Sequence, residues 1–210
     1  MPLVRKPPGP PPAPASSPDR DATLRLLATG SDEERWSAAR AAAGLPDSVG
    51  PLAEALTHET TPRVRQAIFT SLARIATPQS IEAVIGYLRS DDAHARTEAC
   101  DALMAMKGAA WPHVEALLRD HDADVRVLAW GLVRDMPRES AVPLFCDLLD
   151  SEPEPNVCAA AIDALAEIGG PEALPVLARC HERFRATPFL AFAIEIAADR
   201  IRAQSVPPRA

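Results

Sequence analysis

The chain has 210 residues, 47% of them hydrophobic and 24% charged, with a formal net charge of −7. That length fits one domain or two small ones; no apolar run reaches the ~18 residues of a membrane span, and the acidity argues against a protein that coats duplex nucleic acid, which needs clustered Lys and Arg. Forty alanines, few β-branched residues and only 4% aromatics favour an all-α protein.

In chain order, residues 1–20 read as a disordered tail. Eight prolines fall within residues 2–18, and proline removes backbone donors and fixes φ, so neither helix nor sheet is expected there. The tail is either a solvated leader or a PxxP-type docking peptide. No apolar stretch follows Arg5 and Lys6, so the start does not read as a secretory signal, and the cytoplasm is the expected compartment. Residues 21–29 read as a capping helix that opens a domain spanning 21–204, and 205–210 read as a frayed tail.

From Ser31 onward the sequence resembles itself. Segments begin at Ser31, Thr61, Asp92, Asp122 and Glu154, with a looser sixth at Ala186, so the starts lie 30 to 32 residues apart. A fixed period in this range signals a stacked repeat array. Three columns keep the register: Glu34, Val64, Ala95, Val125, Val157 and Phe189; then Ala38, Ile68, Ala99, Ala129, Ala161 and Ala193; then Ala42, Leu72, Leu103, Val133, Leu165 and Ala197. Their spacing of four puts them on one helical stripe. Ser31, Thr61, Asp92 and Asp122 are N-cap types, Ser31 with Glu34 spells a capping box, and Pro62 and Pro155 sit at first helical positions.

A second helix follows in each unit. Its apolar anchors align as Leu52, Val84, Val114, Phe145 and Leu177, with Leu56, Leu88, Leu118, Leu149 and His181 one turn on. Gly or Pro punctuates most junctions, at Pro46, Pro78, Gly108, Pro137 and Gly169–Gly170. The unit is therefore helix, turn, helix, turn, and the fold class is all-α: an α-solenoid of about five to six helix pairs.

An acidic or hydroxyl cap, a two-residue gap, Val-Arg and then alternating Ala and Leu resemble HEAT repeats, in the short form known from bacterial bilin-lyase proteins. The resemblance covers Ser31 to Phe184 and loosely extends to Gln204. It implies that first helices face outward and second helices line a concave surface. It also implies that the arginine column Arg35, Arg65, Arg96 and Arg126 forms a ladder between repeats. The residues themselves suggest intrahelical pairs Asp92–Arg96 and Asp122–Arg126, and an anion-binding stripe is the functional alternative. The column ends at Cys158 and Leu190.

Little in the sequence points to chemistry. Cys100, Cys146, Cys158 and Cys180 show no C-x-x-C spacing and read as reduced thiols filling gaps between helices. HEAT-type hydroxylases bind two irons with His-Glu pairs, but His58–Glu59 and His181–Glu182 are only two pairs at non-equivalent offsets, and they read as solvated helix ends. Trp130 falls in a core column, whereas Trp36 falls at a position that is usually exposed. No metal or other cofactor is expected.

The polar residues of the second helices are the candidate partner-binding set: Glu54, Glu82, Tyr87, Arg89, Glu115, Arg119, Asp147 and Arg179. The segment 188–198 is apolar on more than one face, and it adds Leu190. That helix is either covered by the tail or its own neighbours, or it exposes a patch for a partner or a second copy. The expected function is a non-catalytic scaffold or adaptor that binds another protein along the concave face, with bacterial signalling as one setting. The alternative is a bilin-lyase-like or other HEAT-type enzyme. Two lysines against twenty arginines hint at a GC-rich, bacterial genome.

Overall fold

The computed structural model describes residues 20–133 and 136–204. The tails expected at 1–20 and 205–210 lie outside these residues, except that Arg20 opens the first helix. The described residues form twelve α-helices and no strand: α1 (Arg20–Thr29), α2 (Asp32–Ala42), α3 (Val49–His58), α4 (Pro62–Ile75), α5 (Pro78–Ile85), α6 (Ala93–Met106), α7 (Trp111–Leu117), α8 (Ala123–Leu132), α9 (Arg138–Ser151), α10 (Pro155–Ile168), α11 (Leu174–Arg183) and α12 (Pro188–Gln204). A 3-10 turn, Gly86–Arg89, extends α5.

The expected helix, turn, helix units follow one another in chain order: α2 and α3, α4 and α5, α6 and α7, α8 and α9, and α10 and α11. First helices stack on first helices in an unbroken row from α2 to α12, and second helices pack on the first helix of the following pair. The cap α1 lies against α2 and α3. This is an α-solenoid in which each pair touches only its neighbours, so no pair can bury its apolar stripe alone.

The columns explain the stacking. Ile68, Ala99, Ala129 and Ala161 are buried, as are Leu72, Leu103, Val133 and Leu165 and the anchors Leu52, Val84, Val114, Phe145 and Leu177. Small side chains in the middle column let adjacent first helices approach closely. At the same closeness, buried Ser71 on α4 donates its hydroxyl to the Ala39 carbonyl of α2 at 2.8 Å. The first column varies most at its ends. Val64, Ala95, Val125 and Val157 are buried, whereas Glu34 is exposed and Phe189 is half exposed.

Helix starts follow the cap residues. Ser31 and Glu34 form the full capping box, and Asp92 and Asp122 accept the backbone N–H of His94 and Asp124. Thr61 makes no such cap bond. Its hydroxyl donates to Asp32 instead, at 3.3 Å, and so joins the repeat before it. At the end of α4, Ala76 sits at φ 48° in the left-handed region while its N–H closes the helix on the Leu72 carbonyl. Glycine is the usual residue at such a position.

On α12, Leu190, Ile194, Ala197, Ala198 and Ile201 form one buried stripe at helical spacing. Phe189, Phe192 and Ile196 lie on the other side, and Phe192 is the most exposed at 65%. Leu190 is therefore a core residue and leaves the partner-binding set. The apolar surface of this helix belongs to its two phenylalanines and Ile196.

Candidate protein-binding face

The exposed side of the second helices is built on the buried anchors. In α3 and α9, Glu54 and Asp147 stand two residues after Leu52 and Phe145, turning about 200° away from the core, and both are exposed. Glu82 stands two residues before Val84 and is also exposed. Glu115, Arg119, Arg89 and Arg179 share this exposed side. Tyr87 does not fully join them. Its ring meets Phe69 edge-on, with centroids 5.3 Å apart, and it is half-buried against the core.

The charges on this face are unequally engaged. Arg119 pairs with Glu115 one turn earlier at 2.7 Å, Arg179 bonds Asp150 at 2.8 Å, and Arg89 reaches Asp120 at the turn after α7. Hydrogen bonding to Arg179 holds the Asp150 carboxyl below the usual carboxylate range. Among the described residues no such partner meets Glu54, Glu82 or Asp147. The uncompensated charge of the candidate face is therefore negative. Glu54 also borders a groove of about 570 Å³ between α1 and α3, lined by Leu24, Leu27, Ala55 and His58.

The arginine column lies at the turns between repeats, and its partners differ from the intrahelical pairs expected. Asp92 pairs with Arg65 of the preceding repeat, at 2.9 Å, and Arg65 also bonds Glu98 at 2.6 Å. Arg126 makes a two-pronged bond to Glu152, with both distances 2.8 Å, and donates to the Asp120 carbonyl at 2.8 Å. Arg35 holds Glu59 at 2.8 Å and the Gly30 carbonyl at 2.9 Å, while Arg96 donates to the Ser90 carbonyl at 2.6 Å. Geometry explains the outcome. A guanidinium at the fourth helical position reaches back to carbonyls of the turn before its helix, at Gly30, Ser90 and Asp120, and forward to carboxylates that the next turn or helix brings beneath it, at Glu59, Asp92, Glu98 and Glu152. The ladder implied by the resemblance is present, and its acceptors occupy the donors that an anion-binding stripe would need.

Glu59 is consequently not a solvated helix end. Its side chain is only 4% exposed. Burial alone would raise its pKa, but the Arg35 bond and the Thr61 N–H more than offset that and hold it low. Sequence reasoning also missed a recurring element. Two residues before four of the caps stands a residue whose side chain accepts the cap N–H: Glu59 for Thr61 at 2.8 Å, Ser90 for Asp92 at 3.2 Å, Asp120 for Asp122 at 3.0 Å and Glu152 for Glu154 at 2.9 Å. An acidic or hydroxyl column at that offset was the available signal.

Trp130 is a core residue, as its column predicts, and stacks edge-on with Phe145 at 4.7 Å. Trp36 is half-buried, and the guanidinium groups of Arg40 and Arg63 lie 4.7 and 4.2 Å from its ring. His181 faces Glu195 at 3.7 Å. No group of three or more His, Cys, Asp or Glu side chains among the described residues is arranged to hold a metal. No helix among them is long and apolar enough to cross a membrane.

The HEAT repeats family matches this chain over residues 20–104, 49–132 and 111–184. Among solved structures, the chain is similar to the complex of CpcE and CpcF of phycocyanin lyase from Nostoc sp. PCC7120, with 19% identity over 84% of this chain and 74% of that one and a TM-score of 0.45. It is similar to the Cnd3–Cnd2 subcomplex of S. pombe condensin, with 18% identity over 89% of this chain and 27% of that one and a TM-score of 0.47. An engineered protein shares 20% identity over 88% of this chain and 96% of its own, with a TM-score of 0.41. No curated protein matches the chain in sequence.

Proposed function

Because the chain belongs to the HEAT repeats family, we propose that it is a non-catalytic scaffold that binds another protein along the face of its second helices. The partner segment presents Arg or Lys side chains. The observation that carries this reading is the asymmetry of charge engagement. Arg89, Arg119 and Arg179 are each held by an acid, whereas Glu54, Glu82 and Asp147 stand exposed with no such partner among the described residues. Unpaired carboxylates spread over α3, α5 and α9 offer sites for a basic segment laid across several repeats, and the formal charge of −7 favours its approach at low salt.

The role of an adaptor in the bacterial cytoplasm, in a signalling assembly, is the setting proposed for this binding. The test is capture of partners by the full chain and by a Glu54→Arg, Glu82→Arg, Asp147→Arg variant. The reading expects one stoichiometric protein whose affinity falls at least tenfold in the variant and also falls with added salt, while the melting temperature stays unchanged. Equal affinity for both chains moves the site off this face. A tightly bound pigment or other cofactor in the purified protein instead supports the enzymatic alternative.

A further inference from the structure

The fifth repeat breaks two columns at once. Where the first four repeats carry Arg35, Arg65, Arg96 and Arg126, it carries Cys158. Where the second helices carry Ala55, Tyr87, Leu117 and Leu148, three residues after their anchors, it carries Cys180. Both cysteines are buried. They belong to paired helices, α10 and α11, and they meet under one side chain: Arg183 Nη2 lies 4.0 Å from Cys158 Sγ and 3.9 Å from Cys180 Sγ.

Arg183 takes over the work of the absent ladder arginine. Its Nη2 donates to the carbonyls of Leu149 at 2.6 Å and Glu152 at 3.2 Å, and its Nη1 donates to that of Asp150. Glu152 stands in this turn where Ser90 and Asp120, whose carbonyls Arg96 and Arg126 cap, stand in the earlier ones. The substitution therefore leaves the turn satisfied and sets a cation against two buried thiols. The same guanidinium favours the charged and nucleophilic form of a thiol beside it. Sharing with Cys158 and the charge of Arg183 hold the Cys180 thiol below its ordinary value, while the Cys158 thiol donates to the Glu152 carbonyl at 3.4 Å.

We propose that Cys158 and Cys180 form a reversible intramolecular disulfide, with a hydroperoxide as the oxidant. Cys180 attacks one peroxide oxygen. The O–O bond breaks, hydroxide leaves and takes up a proton, and the sulfur becomes a sulfenic acid. Cys158 then attacks Cys180 Sγ; the S–S bond forms, the S–O bond breaks, and the hydroxyl departs as water with the Cys158 proton. Two thiols and one hydrogen peroxide give one disulfide and two waters, so two electrons pass from sulfur to oxygen. The new bond ties α10 to α11 within the pair next to α12.

The test treats the full-length, reduced chain with hydrogen peroxide in native buffer and maps linked peptides by mass spectrometry. The first product expected is the Cys158–Cys180 peptide, which dithiothreitol reverses, with Cys100 and Cys146 still open to alkylation. In Cys158→Ser, dimedone is expected to trap a sulfenic acid on Cys180. Arg183→Gln is expected to slow the reaction on the order of tenfold and Arg183→Lys to restore it, each variant being checked for native helicity. Oxidation of Cys100 or Cys146 ahead of this pair, or a Cys158–Cys180 link only in urea that unfolds the chain, overturns the proposal. An Arg183→Gln rate equal to that of the parent overturns the part given to the arginine.

Discussion

Replacing Arg126 with Met removes the ladder's most enclosed rung while keeping most of the side chain's apolar length. Arg126 and Glu152 are 12% and 10% exposed and share two bonds of 2.8 Å. Leaving one partner of a fully buried pair alone costs about 3–5 kcal/mol. Residual solvent access and the Glu154 N–H that Glu152 retains reduce this to about 2 kcal/mol. The Asp120 carbonyl also loses its donor, adding about 1 kcal/mol. The expected loss is therefore about 3 kcal/mol, or about 6–12 °C in melting temperature for a chain of this size. Urea unfolding followed by circular dichroism measures it. Arg126→Met with Glu152→Met should recover at least half of the loss, because the unpaired charge is gone. A cost below about 1 kcal/mol for the single variant would falsify the idea that the rung joins repeats.

Other predictions follow from particular residues. Folding lowers the Glu59 pKa below its ordinary 4.5, so the folded chain binds fewer protons there than the unfolded one. Its contribution is fully present above about pH 4.5 and is lost as pH falls through the lowered value; an acid titration of Glu59→Gln should be less stable at neutral pH and shallower below 4.5. Ala76→Gly should raise stability by about 0.5–1 kcal/mol, because φ 48° costs an alanine what it does not cost a glycine; a lower melting temperature would contradict this. Leu190→Ala should cost about 2–5 kcal/mol in thermal melts as a core truncation. If a second copy docks on α12, Phe192→Glu should instead abolish dimers in light scattering with little loss of stability.

The repeats were legible because two periods agree. The four-residue spacing of Val64, Ile68 and Leu72 marks a helical stripe, and its recurrence at Val125, Ala129 and Val133 marks a stack. Cap residues were equally plain, since Ser31, Asp92 and Asp122 act through neighbours two or three positions away. The ladder's partners were not legible. Arg35 finds Glu59 while Arg65 finds Asp92 and Glu98, and sequence separation does not reveal which acid a turn brings beneath an arginine. Leu190 misled for a related reason: with Phe189 and Phe192 beside it, the helix shows no single apolar stripe, and only its packing partners reveal which side is the core. The candidate face was legible as a set of positions, but the pairing of its arginines emerges only when Asp120 and Asp150 are placed in space.

Hydrogen exchange of the full chain, free and bound to its captured partner, tests the central claim most directly. The account predicts that the partner adds protection along α3, α5 and α9 and leaves the outer sides of α2, α4 and α6 unchanged. Protection confined to the first helices, or to α12 alone, would contradict it.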